Sequence, residues 1–442
     1  MSDAPTGGLG DLDPRDDLTP VDDPTSAAGL TRRKFLLGGA VLAGVATAGA
    51  FGAGGLLGAV PAAAAAPPGM EGLPAFVPGT KLTQDQMRIS FMGTCFLPRI
   101  AQQCNSVFVE LGNGDSFVFD FGSGVSSKYV AMGVQYSKMT RVFLTHLHGD
   151  HMSDLITLYC FGPSMDRKTP LHIYGPSSDH GDEGTNAFCK DLYSLCKWHR
   201  EAFSFLPTGL KGHGDGYDIV PHELPYMESG IAYQANGVTI RHFPAIHDRD
   251  GSISYRLEWK GLSMVFSGDT KPSTYMTRHA RGVDVLIHEM VVPATVWATK
   301  NSGGLQPGDT GYRAALKTAK KVQESSHTPE AALGYILSKT RPRLGIATHF
   351  QVNDDTIGPA TKAVRGWYGG PFAIAVDGLV VTVTHSSMKA EFVDLDKFAW
   401  YPKPKFYPSA MLKPPKYDGP LAQLNDRLLR HVIPEKDYTK KG

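Results

Sequence analysis

The most constraining feature of the chain is seven residues long: Thr145-His146-Leu147-His148-Gly149-Asp150-His151, at the C-terminal end of the apolar run Arg141–Thr145. On an extended strand end, residues i and i+2 point the same way, so His146 and His148 can grip one ion together. Asp150 and His151 follow on a turn and can face a second ion. Imidazole and carboxylate ligands suit zinc, and also manganese or iron. Four such ligands within six residues imply a metal centre at a strand's C-terminal end.

Two ions need further ligands, and three downstream residues stand at comparable strand ends. His247 ends the run Thr239–Ile246, Asp269 follows a hairpin in Phe266-Ser267-Gly268-Asp269-Thr270, and His349 ends the apolar run Leu344–Thr348. An aspartate can bridge two metals. The other elements are legible by pattern. Arg88–Met92, Ser106–Leu111, Ser116–Asp120, Leu171–Tyr174, Val283–Ile287 and Phe372–Val383 read as strands, and Ile231–Phe243 and Ile253–Gly268 as strand pairs turning at Asn236-Gly237 and Lys260-Gly261. Helices are expected over Thr185–His199 and near 309–324, 329–340 and 354–367. Strands followed by helices occur twice, at 87–200 and 231–385, which predicts an α/β fold of two similar halves packed as a four-layer αββα sandwich.

The chain has 442 residues, 42% hydrophobic and 20% charged, enough to bury a sizeable core, and its net charge of +1 marks no polyanion binder. Five cysteines are too few and odd in number for a disulfide scaffold. Residues 1–30 are rich in Asp, Gly and Pro. Thr31-Arg32-Arg33-Lys34-Phe35-Leu36, a Gly/Ala/Leu/Val run to about Val60 and the alanines 62–66 follow, which looks like a twin-arginine export signal. An uncleaved membrane anchor is the alternative. The domain reading is an export signal at 1–66, a linker at 67–86, a catalytic domain at 87–385 with an insertion at about 179–230, and a Pro- and aromatic-rich extension at 386–442.

The ordered set HxHxDH, His, Ser-Gly-Asp, His resembles the metallo-β-lactamase superfamily, and within it the ribonuclease Z-like and arylsulfatase-like branch. Phe91-Met92-Gly93-Thr94, Phe119-Asp120-Phe121-Gly122, Ser267–Ser273, Leu286-Ile287-His288-Glu289 and His327-Thr328-Pro329-Glu330-Ala331 support the resemblance. Cys104-Asn105-Ser106 and the long leader are also similar to exported hydrolases classed with guanitoxin biosynthesis. The resemblance implies two Zn(2+) ions, with Mn or Fe as alternatives. His146, His148 and His247 would hold the first ion, Asp150, His151 and His349 the second, and Asp269 would bridge them. The nucleophile would be a metal-bridging hydroxide. Asp150 would also orient it or shuttle its proton, and His288 would lie near the leaving group, oriented by Glu289 or His327.

The chain departs from tRNA-processing members of the branch. The insertion carries nine acidic and four basic residues, the wrong sign for RNA docking. After His349 the sequence reads Phe350-Gln351-Val352-Asn353-Asp354 where a Ser and an Arg-Tyr pair are usual, and the stretch Val291–Ser326 is longer than usual. The expected function is an exported hydrolase acting on a small ester, a phosphodiester or sulfate ester first. A lactonase or other carboxyl-ester hydrolase and a non-catalytic metal-binding module are the alternatives. Expected partners are a small-molecule ester substrate, the twin-arginine (Tat) export machinery and a second copy as a homodimer, with no nucleic acid. The expected location is periplasmic or extracellular.

Overall fold

The computed structural model describes residues 70–203 and 214–395. The expected export signal at 1–66 and the extension beyond residue 395 lie outside the described residues. In chain order the first half contains β1 (Met87–Gly93), β2 (Ser106–Leu111), β3 (Ser116–Phe119), α1 (Val125–Ala131), β4 (Arg141–Phe143), α2 (Gly149–Met152), α3 (Leu155–Phe161), β5 (Leu171–Pro176), α4 (Thr185–Leu195), α5 (Lys197–Phe203) and β6 (Ile219–Leu224). The second half contains β7 (Gly230–Ala235), β8 (Val238–Pro244), β9 (Ile253–Trp259), β10 (Leu262–Phe266), α6 (Thr274–His279), β11 (Val285–Glu289), α7 (Ala294–Asn301), α8 (Tyr312–Ser326), α9 (Glu330–Thr340), β12 (Leu344–Thr348), α10 (Asp354–Arg365), β13 (Phe372–Ile374), β14 (Leu379–Val383) and β15 (Met388–Phe392).

Two sheets result. One runs β15-β14-β1-β2-β3-β4-β5-β6 and the other β13-β12-β11-β10-β9-β8-β7. Alternation along the strands sorts side chains between layers. Val107, Val109 and Leu111 of β2, with Phe117 and Phe119 of β3, join the core between the sheets. Phe108 and Val118, one residue out of phase, join a second core with Val125 and Tyr129 of α1 and Leu155 and Leu158 of α3. Helices α9 and α10 contribute Leu333, Ile336, Leu337, Ala360 and Val364 to the other half. Helix, sheet, sheet, helix is the four-layer order expected from the sequence.

Sequence and structure part at several places. Thr185–His199 is not one helix: α4 ends at Leu195 and α5 begins at Lys197. Residues 219–224, within the expected insertion and outside every expected strand, form edge strand β6, where Pro221 needs no donor on a free edge. Strand β15 continues the first sheet past residue 386, and Phe76 N–H donates to Phe392 O at 2.8 Å. The ordered sheet therefore reaches into both flanks of the 87–385 span. Between α7 and α8, Ala298, Tyr312 and Ala319 build a small core of their own, so the long stretch after β11 is a folded helical hairpin. Among the described residues no helix is long and apolar enough to cross a membrane.

Candidate metal centre

Strand directions bring the ligand candidates to one place. β8 is antiparallel to β9 and β9 to β10, while β10, β11 and β12 are parallel. The C-terminal ends of β8, β10, β11 and β12 thus share one edge, which puts His247, Asp269 and His349 side by side. From the other sheet, β4 ends at Phe143 and delivers His146 and His148 to the same edge. Asp150 and His151 follow on α2.

Four overlapping groups form, in each of which the donor atoms lie within 4.8 Å of one another: the two clusters His146, His148 and His247, and Asp150, His151, Asp269 and His349, with His247, Asp269 and His327, and Glu289, His327 and His349, beside them. Asp269 faces both. Its Oδ2 is 3.9 Å from His146 Nε2, 3.7 Å from His247 Nε2 and 3.2 Å from His349 Nε2, and its Oδ1 is 3.3 Å from His151 Nε2. Its carboxylate therefore lies against donor atoms of both clusters.

The surroundings fix which ring atoms are free. His151 Nδ1 lies 2.7 Å from Asp120 Oδ2, and a carboxylate beside an imidazole nitrogen takes the N–H there, leaving Nε2 as a bare lone pair. Asp120 is itself pinned by the Thr145 N–H at 2.8 Å and the Thr145 hydroxyl at 2.9 Å. His247 Nδ1 donates to Ser326 O at 2.8 Å, so its Nε2 is likewise left to accept. Buried His151 Nε2 and Asp269 Oδ1 have no hydrogen-bond partner, although a buried polar atom is ordinarily satisfied. A lone pair and a carboxylate oxygen aimed at each other in a buried site fit a cation between the two clusters.

The charge balance agrees. Burial disfavours a proton on His151, yet the carboxylates of Asp269, Asp120 and Asp150 outweigh it and hold the ring well above the usual imidazole range. Burial works against the Asp269 carboxylate, but His349, His151 and His146 keep it well below the usual range. Burial pushes His146 well down, and His151 adds to it, against the pull of Asp269. The carboxylates thus favour positive charge at the centre, and burial favours His146 as a neutral ring.

Local backbone follows from these demands. Gly268, at φ +56°, lets the chain turn Asp269 inward, and a Cβ there would lie 2.4 Å from Thr145 Cβ. At Gly122 a Cβ would lie 2.0 Å from Asp150 O, so the α2 backbone can approach only a glycine. His349 adopts a left-handed φ of 59°, uncommon for a non-glycine residue and concentrated at functional positions.

The remaining site expectations fare differently. Glu289 is buried, accepts from Thr270 N–H at 2.9 Å and lies 3.1 Å from His327 Nδ1. His288 points elsewhere. It is fully buried, its Nδ1 donates to Glu289 O, and it does not line the cavity beside the clusters. The cavity position expected of His288 is held by His327, whose Nδ1 is 3.8 Å from Asp269 Oδ2. Burial lowers the charging of His327, but the hydrogen bond and charge of Glu289 raise it to about 9. Strand alternation explains the exchange, because His288 and Glu289 must face opposite sides of β11. Asp120 had no spacing signal; only its place after an apolar strand, in Phe119-Asp120-Phe121-Gly122, could have drawn notice.

Residues 99–159 match the model of the Metallo-beta-lactamase superfamily. Ribonuclease Z of Mycolicibacterium gilvum is 29% identical over 214 residues, 46% of this chain and 69% of that protein. Ribonuclease Z of Mycobacterium bovis is 32% identical over 194 residues, 42% of this chain and 63% of that protein. The match thus spans about two thirds of the relatives' length. Among solved structures, the Bacillus subtilis metallo-beta-lactamase fold protein YhfI is 18% identical with a TM-score of 0.48, over 68% of this chain and 100% of that one. Human tRNase Z, short form, is 18% identical with a TM-score of 0.47, over 66% of this chain and 98% of that one.

Proposed function

We propose that this chain, which carries a metallo-beta-lactamase superfamily domain, is an exported two-metal hydrolase of small esters, with phosphodiesters ahead of sulfate esters. The observation that carries the reading is Asp269, set between two His-rich clusters with an unpartnered buried oxygen facing an unpartnered imidazole nitrogen. His146, His148 and His247 would hold one ion, Asp150, His151 and His349 the other, and Asp269 both. Zinc suits this nitrogen and oxygen donor set, as do manganese and iron. Divalent ions so held lower the pKa of water toward neutrality and draw charge from an ester oxygen.

The chain's own residues do the rest. Asp120, through His151 Nδ1, and Ser326, through His247 Nδ1, hold the rings with Nε2 presented to the centre. Asp150, partly exposed at the cavity wall, is placed to hold the proton of an attacking water. His327, held by Glu289 and facing the same cavity, is placed to donate to the leaving oxygen. The name Ribonuclease Z borne by the relatives supports phosphodiester chemistry. The acidic segment 179–230 argues against RNA docking, and the twin-arginine pattern supports work outside the cytoplasm, as a periplasmic or secreted protein.

The test is 4-nitrophenol release by the zinc-loaded protein from bis(4-nitrophenyl) phosphate and 4-nitrophenyl sulfate in parallel. Faster turnover of the diester is expected. Preference for the sulfate would move the assignment to sulfate esters, and turnover of neither would remove both.

A further inference from the structure

The cavity beside the metal centre has two chemically different sides. Its volume is about 320 Å³, room for a small ligand rather than a polymer. One side is the set of histidines and aspartates already described. The other is Phe96, Val291, Val292, Trp297 and Val322. Four of these five come from residues 291–322, the start of the long stretch after β11 together with the α7–α8 hairpin. No lysine or arginine is among the described residues that line the cavity.

The apolar side is built to persist. Trp297 packs against both the main core and the hairpin's own core. The hairpin is tied down where α8 ends, because Gln323 Nε2 donates to Val292 O at 2.7 Å and Ser326 O accepts from His247. One N–H of the Gln323 amide is thereby committed to the backbone, and the wall around it is otherwise apolar. Val322 stays 48% exposed at the wall, an apolar side chain in water beside a catalytic cavity. Polyanions are held by Lys and Arg, which are absent here. Apolar rings are held by walls of this kind.

Resting on the hydrolase reading above, we propose that the α7–α8 wall is a specificity subsite for an uncharged aromatic group of the substrate, so that the preferred ester carries an aryl group beside the scissile bond. Trp297 and Val322 are its determinants. They select the substrate and take no part in the bond-breaking step.

Two diesters sharing one leaving group test this: 4-nitrophenyl phenyl phosphate and 4-nitrophenyl methyl phosphate, turned over by the zinc-loaded full chain. The phenyl ester is expected to have the higher kcat/KM by about tenfold to a hundredfold, expressed mainly in KM. In Val322→Asp, an exposed position that should not disturb folding, and in Trp297→Ala, the phenyl-over-methyl ratio should fall toward one. Equal kcat/KM for the two diesters in the wild type, or an unchanged ratio in Val322→Asp, would overturn the subsite and leave the hydrolase reading standing. Turnover of neither would remove the hydrolase reading, and the subsite is then decided by binding of 1-naphthol, which has no ester to cleave. Saturable energy transfer from Trp297, absent in Trp297→Phe and at least about tenfold weaker in Val322→Asp, supports it. Failure of naphthol to saturate, or equal affinity in Val322→Asp, overturns it.

Discussion

Replacing Asp120 by Asn would change one oxygen for an amide, outside every ligand cluster. In the native protein this carboxylate takes three contacts: the His151 ring at 2.7 Å, the Thr145 N–H at 2.8 Å and the Thr145 hydroxyl at 2.9 Å. The Asn oxygen can keep Thr145, but its amide then faces His151 Nδ1 as a donor. The ring is forced to accept there and to carry its proton on Nε2, the atom that must be bare to hold a metal. Loss of such an outer partner typically weakens metal binding about 10- to 100-fold, or about 1.4–2.7 kcal/mol. Because volume and the Thr145 contacts survive, the metal-free protein should melt close to wild type. Competition with a chromophoric zinc chelator gives the affinity, and nitrogen NMR of the His151 ring gives the tautomer. Zinc affinity within twofold of wild type, with His151 Nε2 still unprotonated, would refute the reasoning.

Asp269→Ala should reduce diester turnover at least about 100-fold, since it removes the one carboxylate facing five histidines, and initial-rate assays at saturating zinc would check it. Stripping metal with a chelator should lower the melting temperature by several degrees, because binding at about 100 times Kd adds about 2.7 kcal/mol to the folded state alone; calorimetry with and without zinc reads this. His242 is 2% exposed and burial lowers its pKa from 6.5 to about 4. The unfolded chain therefore takes up a proton that the folded chain refuses, and stability falls as pH drops from 6.5 toward 4, by up to about 3 kcal/mol. His242→Phe should flatten that acid limb in denaturant titrations at pH 7 and pH 4.5. Arg32→Lys combined with Arg33→Lys should leave the precursor inside the cell, as fractionation and immunoblotting would show.

What was legible in the sequence followed local rules. His146, His148, Asp150 and His151 stood out by spacing, and His247, Asp269 and His349 by their place at strand ends. The structure brings all seven together because β8, β10 and β12 end on one edge, and β4 of the other sheet delivers its four residues to the same edge. Long amphipathic or strongly apolar segments such as α9 and β2 were equally plain. What was not legible depends on neighbours far along the chain. Edge strand β6 has a Pro and half-buried residues, so only its pairing with β5 makes it a strand. The break at Cys196 leaves no sign in composition. Asp120 and Ser326 act on histidines 31 and 79 residues away. The exchange of His288 for His327 came from weighing a motif above the alternation of side chains along β11. The apolar wall was foreshadowed only by the length of the stretch Val291–Ser326.

The most direct measurement is the zinc content of the purified, dialysed full chain by elemental analysis against protein concentration, repeated on Asp269→Ala. The account predicts two zinc equivalents per chain, falling to one or none in the variant. A single equivalent in the wild type, or two retained without Asp269, would contradict a shared carboxylate between two ions.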